Sequence, residues 1–192
     1  MAKLLYITNT SLDGYIEDAA GDFSFIRPPD EVLPFITELV RPVGTHLYGR
    51  RLYETMAYWE APAEGSSPED LEWAHVWQQA QKIVFSRTLA NVTARNTRIE
   101  RNFDPEMIAK LKRESKPDII IGGAELAALA IAADLVDECA LFVNPSFVGG
   151  GKPAFRSGLR RDLELLETRR FDTGVVYVRY GIRGSLASSN VT

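Results

Sequence analysis

Three arginines stand where strand-like runs end. Arg50 and Arg51 follow Gly44-Thr-His-Leu-Tyr-Gly49, and Arg87 follows residues 82–86 in Ser86-Arg87-Thr88. A guanidinium fork grips phosphate oxygens in pairs, so such arginines suit the pyrophosphate and 2′-phosphate of NADPH. Any one of them alone reads as an ordinary loop arginine; their shared placement points to an anionic dinucleotide. The stretch Asp118-Ile-Ile-Ile-Gly-Gly-Ala-Glu-Leu126 supplies the complementary feature. Gly122-Gly123 permits positive φ and leaves the backbone open to a ligand. The helix expected beyond it offers unpaired N–H groups and the positive end of its dipole. This is not the G-x-G-x-x-G fingerprint, and a plain strand-to-helix turn stays open as the alternative. A second glycine run, Gly149-Gly150-Gly151, follows the apolar residues 135–143 and Asn144-Pro145. Two such loops at the same ends of neighbouring parallel strands outline one crevice.

Other chemistries lack their residues. His46 and His75 are the only histidines, and neither has metal-ligand spacing, so no metal is expected. His46 reads as a satisfied structural residue within a strand. There is no G-x-S-x-G elbow, no P-loop and no zinc-deaminase H-x-E with P-C-x-x-C. Acids near the inferred crevice are Asp13, Asp22, Asp30 and Glu31; each could instead cap a turn or helix. Cys139, the single cysteine, reads as a small core residue rather than a nucleophile.

These residues need a frame. The 192 residues are 45% hydrophobic and 25% charged, enough for a substantial core in one domain. A net charge of −4 provides no general basic surface for nucleic acid, so any anion site is local. The apolar run near the N-terminus is too short for a signal peptide or a membrane span. A chain that cannot form an internal disulfide suits a reducing compartment, and the expected location is the cytoplasm, off the membrane.

Strands are expected at residues 3–9, 44–49, 82–86, 97–100, 118–121 and 135–143. Helical spacing covers Val32, Phe35, Ile36, Leu39 and Val40; Pro34 removes a donor early in that helix, and a regular part starting at Pro34 is the alternative. Leu52, Tyr53 and Met56 begin a short helix. Residues 68–80 form another, with Leu71, Trp73, Val76, Trp77 and Ala80 mostly inward. Asp104-Pro105-Glu106 combines a cap with proline at the first helical position. Residues 163–171 and 175–182, joined through Asp172-Thr-Gly174, read as a hairpin. Alternating strand and helix before a terminal hairpin indicates an α/β fold with a mostly parallel sheet and an antiparallel edge. The strand 175–182 is expected at that exposed edge. Residues 184–192 are a small, polar C-terminal tail.

Taken in order, Ser11-Leu-Asp-Gly-Tyr-Ile16, Tyr48-Gly-Arg-Arg-Leu-Tyr-Glu54, Ile83-Val-Phe-Ser-Arg87, Ile120-Ile-Gly-Gly-Ala124, Leu135-Val-Asp-Glu138, Pro145 and Gly149-Gly-Gly151 resemble a known family. It is the reductase domain at the C-terminus of bifunctional riboflavin-biosynthesis deaminase–reductases, which shares the dihydrofolate reductase fold. The resemblance runs from Lys3 to about Arg183 and implies helices on both faces of a mostly parallel sheet, with a C-terminal antiparallel hairpin. It makes residues 1–183 one reductase domain. It implies NADPH, with Gly122, Gly123, Ala124, Glu125 and Leu126 around the pyrophosphate. Gly49, Arg50, Arg51, Ser86 and Arg87 would lie on the phosphate and ribose side, and Thr8 and Thr10 by the nicotinamide. Asp13, Asp22, Phe25 and Glu31 would face the substrate, with Asp30 and Tyr53 as the catalytic pair. Leu52 departs from the family, which has threonine there. The implied activity is hydride transfer to a small heterocycle or carbonyl compound, pteridine- or pyrimidine-like, by a homodimer. A non-catalytic nucleotide-binding or scaffolding protein on the same fold is the alternative.

Overall fold

Hydrophobic side chains alternate between two cores along each central strand, and this makes the architecture. In the computed structural model, which describes residues 1–26 and 31–183, Leu4 and Tyr6 enter one core while Leu5 enters the other. Ile119 and Ile121 likewise oppose Ile120. Such continuous apolar runs are stable only with both sheet faces covered.

The elements run β1 (Leu4–Thr10), β2 (Tyr15–Glu17), α1 (Val32–Val40), β3 (Val43–Gly49), α2 (Arg50–Met56), a 3₁₀ turn (Ala57–Glu60) and α3 (Pro68–Gln79). Then come β4 (Gln81–Phe85), β5 (Thr97–Glu100), α4 (Pro105–Glu114), β6 (Asp118–Gly122) and α5 (Ala124–Ala132). Last are β7 (Glu138–Val143), β8 (Lys152–Pro153), β9 (Leu163–Arg170) and β10 (Val176–Ile182). An eight-stranded sheet has the order β5-β4-β3-β6-β1-β7-β10-β9, while β2 and β8 pair separately. β5 to β7 are mutually parallel, and β10 runs antiparallel to both β7 and β9. Ile108 of α4 and Ala127 and Ile131 of α5 pack on one face. Val40 of α1, Tyr53 of α2 and Trp73 and Trp77 of α3 pack on the other.

Helix starts follow local chemistry. Ser67 and Asp70 form a reciprocal capping box ahead of α3, and Asp104 accepts from the Glu106 N–H ahead of α4, each with proline at the first turn. Pro34 lies within the first turn of α1, where its missing N–H costs no helical bond.

Three expectations are corrected. Leu71 is 51% exposed rather than inward; it lies on the outer side of α3, whose inward stripe is Trp73, Ala74, Val76 and Trp77. Residues 135–137 are not strand but a connection, held by Leu135 N–H to Ala130 O and Asp137 N–H to Leu4 O. Strand β10 is not an edge, because β7 and β9 flank it. Among the described residues the edge at this end of the sheet is β9, all eight residues of which are exposed. The polar tail 184–192 and Asp30 lie outside the described residues. No helix among the described residues is long and apolar enough to cross a membrane.

Candidate functional site

Parallel pairing brings the carboxyl ends of β4, β3, β6, β1 and β7 to one side of the sheet. Ser86-Arg87, Gly49-Arg50-Arg51, Gly122-Gly123, Thr10-Ser11 and Asn144-Pro145 therefore share one rim, where open α/β sheets bind ligands.

At its centre Gly123, with φ +88°, is the N-cap of α5 and supplies no side-chain cap. The first N–H groups of α5 keep their hydrogen-bonding capacity for a ligand. Ala124 and Leu126 are buried, so they can face a ligand only through the backbone. The Glu125 carboxylate lies 3.0 Å from Arg156 Nη1. Gly122 is enforced by packing: a Cβ there would lie 2.5 Å from Leu52 Cδ2 and 3.2 Å from the Tyr48 ring. Leu52, which replaces the expected threonine, thus covers this turn with methyl groups and offers no hydroxyl.

On the flank, Arg50 reaches Glu54 (3.7 Å) and the Thr88 hydroxyl (3.5 Å). Arg51 and Arg87 are exposed and, among the described residues, make no ion pair. The buried Ser86 hydroxyl accepts from the Thr88 and Leu89 N–H groups at 3.3 and 2.9 Å. Its lone pairs therefore hold its own loop. Arg101 was missed by the sequence reading; its Nη1 donates to the Ser86 and Leu89 carbonyls at 3.1 and 2.7 Å. A basic residue one position beyond a short strand was the available signal.

The opposite flank is stitched by backbone bonds. Thr8 is half-buried, with its hydroxyl donating to the Asn9 carbonyl at 3.2 Å. Thr10 is buried, and its carbonyl accepts from both the backbone N–H and Nδ2 of Asn144. The Asp13 carboxylate accepts from Gly149 N–H at 2.8 Å and Val148 N–H at 3.2 Å. The Ser11 hydroxyl first, then these N–H groups, hold its carboxyl below the usual carboxylate range. Gly151, with φ +133°, passes the second glycine run so close to the β2 end that a Cβ would lie 2.1 Å from the Glu17 carbonyl oxygen. The two glycine loops belong to β6 and β7, which flank β1 on either side.

The proposed substrate and catalytic residues are largely engaged in holding loops. Asp22 accepts from the Ser24 N–H and hydroxyl, which lower its pKa. Glu31 accepts from Thr173 N–H at 3.0 Å, fastening the start of α1 to the β9–β10 turn. Phe25 is half-buried. Tyr53 is buried, and its hydroxyl accepts from Thr93 and Ala94 N–H at 2.8 and 3.1 Å. His46 is structural but only half satisfied: Nδ1 meets the Tyr48 hydroxyl at 2.7 Å, while Nε2 has no partner among the described residues. Cys139 is buried in the core, with burial pushing its thiol up to about 11. Among the described residues no group of three or more His, Cys, Asp or Glu gathers that could hold a metal ion.

Comparison with known proteins gives the family and the fold. Residues 2–177 match the family model described as the RibD C-terminal domain. The uncharacterized protein YyaP of Bacillus subtilis (strain 168) is 34% identical over 177 residues, covering 91% of this chain and 92% of that protein. A putative riboflavin biosynthesis protein from Shewanella sp. PV-4 is similar in structure, with a TM-score of 0.76 at 20% identity over 96% of this chain and 100% of the other. The dihydrofolate reductase of Enterococcus faecalis, solved as a complex with NADP(H), has a TM-score of 0.65 at 16% identity, covering 95% of this chain and 97% of that one.

Proposed function

Because the chain belongs to the RibD C-terminal domain family, we propose that it is an NADPH-dependent reductase of a small pteridine- or pyrimidine-like heterocycle or carbonyl compound. The observation that carries this reading is the common rim of Gly122-Gly123, Gly49-Arg50-Arg51 and Ser86-Arg87 at the carboxyl ends of β6, β3 and β4.

The residues present fit such a dinucleotide. Gly122, Gly123 and the backbone of residues 124–126 would hold the pyrophosphate, through uncapped N–H groups that favour negative charge. Arg51 and Arg87, with Arg50 beside them, would take the 2′-phosphate. Thr8 and Thr10 would line the nicotinamide. When bound, NADPH supplies a hydride to an electrophilic carbon of the substrate, whose adjoining nitrogen or oxygen takes up the electron pair and then a proton. The protein's task is alignment and proton supply. We assign the proton to the Asp30 carboxyl or a water, and Tyr53 to positioning, since its hydroxyl already holds the Thr93–Ala94 backbone. The substrate would lie beside Phe25 and the start of α1, on loops braced by Asp13, Asp22 and Glu31.

We place residues 1–183 in one reductase unit, in the cytoplasm, acting as a homodimer. What supports the dimer is β9, where Leu163, Leu165 and Leu166 are 45%, 55% and 48% exposed. An open edge with such side chains is usually covered.

A second reading, a nucleotide-binding protein without turnover, is favoured by one feature: Leu52 seated over the Gly122-Gly123 turn. Titration with NADPH and NADH, followed by a turnover screen against heterocycles, separates the two. A ligand at a hundred times its Kd adds about 2.7 kcal/mol of stability, so the thermal midpoint should rise with NADPH. Absence of any shift with either dinucleotide defeats the reductase and leaves a scaffolding protein on the same fold, and a shift without turnover on any compound favours the second reading.

A further inference from the structure

We infer that Arg101 is a positioning residue that sets the preference for NADPH by locking the turn that carries Arg87. This rests on the functional reading of Arg87 as a ligand of the 2′-phosphate. The turn at residues 86–89 is held from two sides. From within, the buried Ser86 hydroxyl accepts from Thr88 and Leu89 N–H. From outside, a single guanidinium nitrogen of Arg101 donates to the carbonyls of Ser86 and Leu89, the first and last residues of that turn. Arg101 comes from the neighbouring strand: it directly follows β5, whose Glu100 pairs with Phe85 and, through its backbone carbonyl, accepts from the Ser86 N–H at 2.9 Å. The brace therefore ties the ends of two parallel strands together.

Arg87 has no ion pair among the described residues to fix it, so its direction depends on the backbone beneath it. A long arginine on a loose turn loses most of its gain to rotamer and loop entropy on meeting a phosphate. On a locked turn it is preorganised. Arg101 also leaves Nε and Nη2 without a partner among the described residues, so its charge adds to the positive field of this flank. On the functional reading this flank takes the 2′-phosphate while Thr8 and Thr10 line the nicotinamide, so cofactor choice should respond more than general binding.

The test compares wild type, Arg101→Gln, Arg101→Lys, Arg87→Ala and the double variant R87A/R101Q. Backbone amide exchange of Thr88 and Leu89 is followed in the free protein, and Kd is measured for NADPH and NADH at one fixed salt concentration. The expected result is exchange at least about tenfold faster in R101Q. NADPH should weaken about tenfold and NADH less than about threefold, with much of the preference restored in R101K, whose ammonium can still donate to carbonyls. In the R87A background the R101Q change should cost NADPH less than about threefold, because coupled residues do not add. Unchanged exchange in R101Q overturns the inference, as do equal losses for both cofactors or full additivity with R87A. The wild-type titration is read first: failure to bind either dinucleotide defeats the functional reading itself and this inference with it, whereas binding with an intact preference in R101Q defeats the inference alone.

Discussion

Leu52 stands directly over Gly122, with its Cδ2 2.5 Å from where a Cβ on that glycine would be. The Tyr48 ring, 3.2 Å away on another side, cannot yield, because its hydroxyl is tied to His46 and Trp77. Gly122→Ala should therefore destabilise by about 1–3 kcal/mol, as overpacking does, and Leu52→Ala should recover part of the loss by removing the one tip that can move. Gly151→Ala should cost more: its neighbour is the Glu17 carbonyl, which is backbone, and its φ of +133° is strained for any side chain. Denaturant melts of the three variants rank these effects, and a G151A protein as stable as G122A contradicts the ordering.

The buried imidazole of His46 makes stability depend on acid. Burial first, and the Lys82 ammonium second, push its pKa down to about 3 from 6.5. Between those values the unfolded chain binds a proton that the native chain refuses. Stability is thus lost as pH falls through that window, by up to about 1.4 kcal/mol per pH unit from this group. In His46→Gln the fall of the melting midpoint between pH 6.5 and 4 should be shallower than in wild type. Identical slopes would mean that the native imidazole protonates freely.

Tyr53 looks catalytic by its place in the chain and structural by its bonds. Removing its hydroxyl leaves the Thr93 and Ala94 N–H groups without their acceptor, at about 1–3 kcal/mol for buried donors left unmade. Tyr53→Phe should lower the melting midpoint by several degrees. A loss of turnover with no loss of stability would return Tyr53 to the reaction.

Contrasts of this kind mark what a chain of residues reveals by itself. The strands were legible because Ile119 to Ile121 and Leu4 to Ile7 must be covered on both faces, and the caps because Ser67 and Asp104 act on N–H groups two or three positions away. The arginine and glycine rim was legible because parallel connections return every strand end to one side. Bonds across long sequence distances were not. Asp13 to Gly149, Tyr53 to Thr93 and Glu31 to Thr173 turn candidate reactive groups into loop fasteners, and nothing near those residues signals their partners. The edge strand was misplaced for the same reason: either strand of the hairpin could have paired with β7, and the contacts of Phe142 with Tyr177 and of both with Phe35 accompany the pairing of β10.

The edge itself gives the last prediction. Along β9, Glu164 pairs with Gly181 and Arg169 with Tyr177, so both side chains lie on the same face of the sheet. A second copy of β9 laid antiparallel about a two-fold axis can set Glu164 against Arg169 twice, with Leu163 against Arg170 and Leu165 against Thr168 in the same register. Such an isologous contact is self-complementary in charge and covers the exposed leucines. Light scattering at micromolar concentration should give twice the chain mass of 21.4 kDa. Leu165→Glu should shift the protein toward monomer, and Glu164→Arg should do so through repulsion from Arg169. The double swap E164R/R169E should restore the dimer, because it reverses both charges and keeps their complementarity. Wild-type mass at the monomer value defeats the dimer. A dimer insensitive to both Leu165→Glu and Glu164→Arg leaves it standing but moves its interface away from β9.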